Sequence, residues 1–212
     1  MSLSGQDIHK RFGPRPILRG ASLTLHPGEV AHLLGANGSG KTTLARILAT
    51  ALHADRGTVT LDDEPVTRRL SAARRAIGFA SHRPLLYLGL TPVENLSFFG
   101  RLAGVADART RARRQLERFG MGAFADTPVE RFSRGMLQRI ALIRALLPEP
   151  RVLVLDEPYA GLDEDGTRTL NEVLLEARDR GAATLVISHD PDRVTPLTPR
   201  RHRMREGRVE EA

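Results

Sequence analysis

At 212 residues, 41% of them hydrophobic and none of them cysteine, the chain has the size and apolar content for one domain with a buried core, and it holds neither disulfides nor zinc–thiolate sites. No run approaches the ~20 apolar residues that cross a bilayer, and the opening MSLSGQDIHKRFG is polar where a secretory signal has an apolar block. The formal net charge of +7 comes almost wholly from arginine, with Lys10 and Lys41 the two lysines; the arginines are scattered as on a solvated surface, densest in RRHRMR at 200–205.

In chain order, apolar runs predict strands at 22–25, 30–34, 58–61, 76–80, 152–155 and 184–188. Helical spacing predicts helices at 41–52, 92–103, 107–119, 134–147 and 164–180, with Gly28, Gly57, Gly120 and Gly181 as punctuation. RTRARRQLER at 109–118 reads as an amphipathic helix with an exposed basic face. Strand and helix alternate at both ends, which implies a mostly parallel sheet covered by helices. The segment 84–147 is mostly helical and interrupts that alternation, so the expected organisation is one domain over 1–212, of α/β class, with a helical subdomain inserted at about 84–147.

GANGSGKT at 35–42 fits G-x-x-x-x-G-K-[ST] in full, between the strand EVAHLL and the helix TTLARILATAL. Glycines at 35, 38 and 40 let the backbone turn its N–H groups toward phosphate oxygens, and the helix N-terminus adds open amides and partial positive charge. The expected phosphate cradle is Gly35, Ala36, Asn37, Gly38, Ser39, Gly40, Lys41, Thr42 and Thr43, with Lys41 reaching the β- and γ-phosphates and Thr42 placing its hydroxyl on Mg²⁺. RVLVLDEP at 151–158 supplies a buried strand with Asp156 at its C-terminal end, where ligands bind in open α/β sheets. Asp156 can orient Mg²⁺ through water, and Glu157 beside it is placed to polarise an attacking water. These elements define a P-loop NTPase and leave kinases, GTPases, helicases and transport ATPases all open.

VERFSRGMLQRIALIRALLPEPRVLVLDEPYAGLD at 129–163 narrows the choice. It closely resembles the ATP-binding cassette family, in which a serine–glycine signature precedes a helix that leads into the acidic strand and a Gly-Leu-Asp turn. The resemblance covers nearly the whole chain. It implies a P-loop NTPase core with an N-terminal antiparallel β portion, and ATP and Mg²⁺ as cofactors. Ser133 and Gly135 hold the positions of the signature serine and second glycine, Phe12 that of the aromatic stacked on adenine, His189 in LVISHD that of the switch histidine near the γ-phosphate, and Asp163 that of the acid in the turn between dimer halves. The family's usual Leu-Ser-Gly-Gly-Gln is here Phe132-Ser133-Arg134-Gly135-Met136, which keeps the two residues that contact phosphate.

His82, in IGFASH, stands where the family has a glutamine that touches Mg²⁺ or its water. A neutral imidazole is a poor ligand for that hard ion but can hydrogen-bond a metal-bound water. His82 followed by RPLLYLGLTPVENLSFFGRLAG resembles the ATP-binding subunit of the cytochrome c biogenesis haem exporter; general drug- or lipid-type export ATPases share LTPxENL and FSRGM.

The resemblance implies an ATPase in which Glu157, His189 and Lys41 are catalytic and the phosphate loop of one subunit faces the Ser133–Gly135 segment of a second ATP-binding subunit. It also implies separate integral-membrane transporter subunits, engaged through the loop near His82 and the helix containing Glu94, and a peripheral place on the cytoplasmic face of the membrane. A nucleic-acid ATPase of the same superfamily is the alternative the basic charge suggests. Against it, the interval from phosphate loop to signature is short, with no cysteine and no sustained heptads, so no nucleic-acid partner is expected. The FSRGM, LDEP and GLD series has no role in a small-molecule kinase, the third class.

Overall fold

The structure, a computed structural model, describes residues 1–211. The chain opens with a long hairpin, β1 (Leu3–Phe12) and β2 (Arg15–Leu25), then β3 (Val30–Gly35) and α1 (Lys41–Leu48). A second antiparallel pair, β4 (Arg56–Leu61) and β5 (Glu64–Pro65), leads through α2 (Leu70–Ala76) into β6 (Ile77–Ala80). Three helices follow, α3 (Pro92–Leu102), α4 (Ala108–Arg118) and α5 (Arg134–Leu146), and then β7 (Val152–Asp156), α6 (Glu164–Asp179) and β8 (Ala183–Ile187). A single turn of helix, α7 (Pro191–Val194), and the hairpin β9 (Arg200–Arg205) and β10 (Arg208–Glu211) complete the described chain.

Two sheets result. One is antiparallel, ordered β2-β1-β4-β5; the other runs β10-β9-β3-β8-β7-β6, parallel throughout except for the β9–β10 hairpin. The fold is that of a P-loop NTPase core with an antiparallel β portion and helices carried between β6 and β7, as expected. Every residue of β7 (VLVLD) and β8 (ATLVI) is buried, which is why both read as continuous apolar runs: helices cover one face of the parallel sheet, and α1 with the antiparallel sheet covers the other. One core lies between the two sheets around α1; the other joins the parallel sheet to α3–α6.

The expected strand at 22–25 is the end of a strand of 11 residues, and β1 was not foreseen. Its register against β2 shifts three times between Gly5 and Arg11, and the irregularities break the alternation that marks a strand. The helix expected at 41–52 ends at Leu48, and Thr50 takes a left-handed φ of 57°. RRHRMR at 200–205 is strand β9, with His202 and Met204 buried and the arginines outside. On α4, Ala108, Ala112 and Leu116 are buried and the arginines face out, as the spacing predicts.

Candidate nucleotide site

β3 carries the chain to the C-terminal edge of the parallel sheet and releases it at Gly35. Gly40 caps α1 at φ +110°, a conformation that favours glycine, and a Cβ there would also crowd Leu18 Cδ2 at 2.8 Å. No side chain caps α1, which leaves its first amides open at the mouth of the loop. Lys41 Nζ folds back over the loop and donates to the carbonyls of Gly35 (2.7 Å) and Ala36 (2.9 Å), and Ser39 Oγ is buried with no partner among the described residues.

Asp156 ends β7 only 2% exposed. Burial raises the pKa of its carboxyl, and the neighbouring Glu157 adds to the rise; the hydrogen bond from the Thr42 hydroxyl, with His82 and Lys41 nearby, offsets it only in part. Glu157 adopts a left-handed φ of 54°, uncommon for a non-glycine residue. Its N–H donates to the Ile187 carbonyl (2.8 Å) and its own carbonyl accepts from Gln138 Nε2 (3.4 Å), so two contacts hold the strained backbone. Its side chain meets His189, whose Nδ1 lies 2.9 Å from Glu157 Oε2.

A cleft of about 350 Å³ joins these residues: Phe12, Arg15, Ile17, Asn37, Gly38, Gly40, Lys41, Thr42, Thr43, Asp156 and Glu157 line it. Phe12 is 51% exposed, so it is no core phenylalanine; it projects from the end of β1 at the rim of the cleft, with Lys10 Nζ 5.8 Å from its ring. The oxygen pair of Thr42 and Asp156 suits Mg²⁺, a hard ion that takes one or two protein ligands and keeps waters beside substrate phosphates.

Ser133, Gly135 and Asp163 lie outside this cleft. Ser133 Oγ caps α5 by accepting from the Met136 N–H (3.3 Å), and a Cβ on Gly135 would collide with the Gly161 carbonyl oxygen. Asp163 caps α6, accepting from the Gly166 N–H (2.8 Å), and pairs with Arg139 Nη2 (2.6 Å); both contacts hold its carboxyl below the usual range. Arg193 fixes the turn between them by donating to the carbonyls of Tyr159 (3.1 Å) and Leu162 (3.3 Å).

Three residues with structural roles escaped the sequence reading, one beside the phosphate loop and two at the loop that follows His82. His32 is the one polar side chain in EVAHLL that stands inside the strand, and that interruption was the available signal. Asn95, in VENL, is fully buried: its Oδ1 accepts from Tyr87 N–H (2.8 Å) and its Nδ2 donates to the carbonyls of Tyr87 (3.0 Å), Thr91 (3.1 Å) and Leu90 (3.3 Å). Arg144 donates to the Leu85 carbonyl (2.9 Å) and lies 5.0 Å from the Phe99 ring centre. Glu94 and Thr91 form a reciprocal capping box at the start of α3.

A family profile described as ABC transporter matches residues 18–160. The chain belongs to the ABC transporter family. It is similar to the Nod factor export ATP-binding protein I of Burkholderia lata, with 37% identity over 96% of this chain and 67% of that protein. It is also similar to the aliphatic sulfonates import ATP-binding protein SsuB 1 of Xanthomonas axonopodis pv. citri, with 39% identity over 94% of this chain and 81% of that one. A solved structure described as an ATP binding subunit of an ABC transporter superposes with a TM-score of 0.90 at 25% identity, covering 99% of this chain and 88% of the other. The chain spans between 58% and 81% of the length of the curated relatives it matches. No helix among the described residues is long and apolar enough to cross a membrane.

Proposed function

We propose that the chain is the ATP-binding and ATP-hydrolysing subunit of an ABC exporter, driving separate membrane subunits from the cytoplasmic face of the membrane as one of two such subunits. The observation that carries this reading is the convergence of Lys41, Thr42, Asp156 and Glu157 on one cleft, with His189 held 2.9 Å from Glu157. The open amides of α1, with Gly35 to Thr43, receive the ATP phosphates, and Phe12 receives the adenine. Lys41 leaves its loop carbonyls for the β- and γ-phosphates. Thr42 and Asp156 hold Mg²⁺, which when bound supplies charge neutralisation to the transferring phosphoryl group. His189 engages Glu157 Oε2, so Oε1 orients the attacking water and accepts its proton. His82 acts on the Asp156 carboxyl from nearby and would serve the same site by hydrogen-bonding a water of the ion.

Ser133 and Gly135 serve the opposite subunit's nucleotide, which agrees with their position outside this chain's own cleft. Leu85, Tyr87 and Leu88 are exposed on the loop that follows His82, and Phe98 and Leu102 are exposed on α3. This apolar group is the surface offered to the membrane subunits.

We propose haem, for cytochrome c biogenesis, as the cargo; its support is the segment from His82 to Gly104 and its resemblance to the haem exporter subunit. The two named relatives are an exporter and an importer with other cargoes. Deleting the gene from its host and staining membrane proteins for covalently bound haem tests the cargo. Loss of c-type cytochromes, restored by the wild-type gene and not by Glu157→Gln, is expected. Persistence of c-type cytochromes would sink haem export and leave a general exporter. Purified chain that hydrolyses no ATP, alone or with its membrane subunits, would sink the ATPase.

A further inference from the structure

His32 is fully buried in β3, three residues before the phosphate loop begins at Gly35. A buried histidine in a parallel strand needs a reason, because an apolar side chain fills such a place at no polar cost. Its contact supplies one: Nε2 lies 3.1 Å from the Ser188 carbonyl oxygen, on the far side of the β3–β8 pairing. A carbonyl only accepts, so Nε2 carries the hydrogen. Nδ1 is buried without a partner among the described residues, so nothing there receives a second N–H, and the donation from Nε2 selects the neutral Nε2–H tautomer. Burial also pushes the His32 pKa down, in the same direction.

The Ser188 carbonyl belongs to the peptide bond that delivers His189. The carbonyl before it, that of Ile187, accepts the Glu157 N–H at 2.8 Å. Both members of the Glu157–His189 pair therefore hang from two successive carbonyls at the end of β8, one of them fastened by His32. The Ser188 side chain closes the turn beyond, accepting from Asp190 N–H at 3.1 Å.

We propose that His32 is a positioning residue for ATP hydrolysis: its Nε2–H fixes the Ser188 carbonyl and so sets where His189 meets Glu157. The proposal rests on the reading above that Glu157 and His189 act on the attacking water. A leucine at 32 would fill much the same space and leave the Ser188 carbonyl without its donor. Glutamine places its Nε2 as many bonds from Cα as the histidine Nε2, whereas the asparagine Nδ2 falls one bond short. Packing and positioning thus rank the variants in opposite orders.

The test is steady-state turnover of MgATP by the full chain carrying His32→Gln, His32→Asn or His32→Leu, with melting temperature recorded for each. His32→Gln is expected to keep about half or more of wild-type kcat. His32→Asn and His32→Leu are expected to lose about tenfold or more in kcat, with KM changed by less than about twofold, as displacement of a catalytic group without loss of substrate binding requires. A fully active His32→Leu overturns the proposal. So does a His32→Gln that melts like the wild type and loses as much turnover as His32→Leu. Glu157→Gln and His189→Ala are measured alongside: if both keep full turnover, the reading of the catalytic pair fails; if both lose it while the His32 series does not follow the expected order, only the positioning role fails.

Discussion

His189 Nδ1 and Glu157 Oε2 stand 2.9 Å apart just beyond the ends of two neighbouring strands, β8 and β7, with Glu157 in a left-handed turn. The amide Glu157→Gln keeps the shape and removes the base. Turnover is expected to fall by about 100-fold or more, the lower range for a general base. MgATP stays bound, and size-exclusion chromatography shows a slowly dissociating dimer. Unchanged turnover would remove Glu157 as the base.

Lys41 is one of two lysines in the chain, and its ammonium already rests on two loop carbonyls. Lys41→Ala removes a charge-assisted contact to phosphate worth ~1.5–3 kcal/mol. MgATP affinity, measured by titration calorimetry, is expected to fall by about tenfold or more. Undiminished affinity would mean that the loop does not hold the phosphates.

Ser133→Arg probes the shared site. The substitution removes the α5 cap, a loss of ~1 kcal/mol that a folded domain tolerates. Hydrolysis is expected to vanish while the affinity of the isolated chain for MgATP hardly moves. A large affinity loss would place Ser133 in this chain's own site.

Gly135→Ala places a methyl group against the Gly161 carbonyl oxygen. The clash forces the start of α5 away from the turn that ends at Asp163, at about 1–3 kcal/mol, the cost of inserting a methylene into a packed region. Thermal denaturation is expected to show a drop of roughly 2–4 °C per kcal/mol. An unshifted melting curve would mean that the turn yields freely.

Asn95→Leu leaves the Tyr87 N–H without its partner and removes a second donor from the Tyr87, Leu90 and Thr91 carbonyls, which keep the backbone N–H groups of Leu90, Val129 and residue 95. Stability is expected to fall by about 1–3 kcal/mol, the cost of one orphaned donor, with chemical denaturation as the readout. Limited proteolysis should cut first between residues 83 and 91. Cleavage elsewhere would show that the loop does not depend on Asn95.

The phosphate loop and LDEP strand were legible because their chemistry is local: fixed spacing within a few residues places backbone amides, Lys41 and two acids at one sheet edge. β9 was hidden because arginines, poor strand markers, fill its outward positions, and only His202 and Met204 turn inward. β1 was hidden by its bulges. The contacts of Gly135 with Gly161 and of His32 with Ser188 join residues 26 and 156 positions apart, and no pattern along the chain encodes such a meeting. Asp163 illustrates the converse: its place in the Gly-Leu-Asp turn was readable, but its ion pair with Arg139 was not.

Arg144 grips the Leu85 carbonyl near one end of α5, and Ser133 caps the other end. Leu85 itself sits at a left-handed φ of 50°, and Asn95 clasps the backbone two residues on at Tyr87. A loop fastened at both points has little slack of its own. A helix rises about 1.5 Å per residue, which makes α5 a stiff rod of roughly 16 Å between Arg144 and Ser133. A push on exposed Leu85, Tyr87 or Leu88 is therefore expected to pass through Arg144 into the rod and, on the function proposed above, toward the Ser133 end that serves the other subunit.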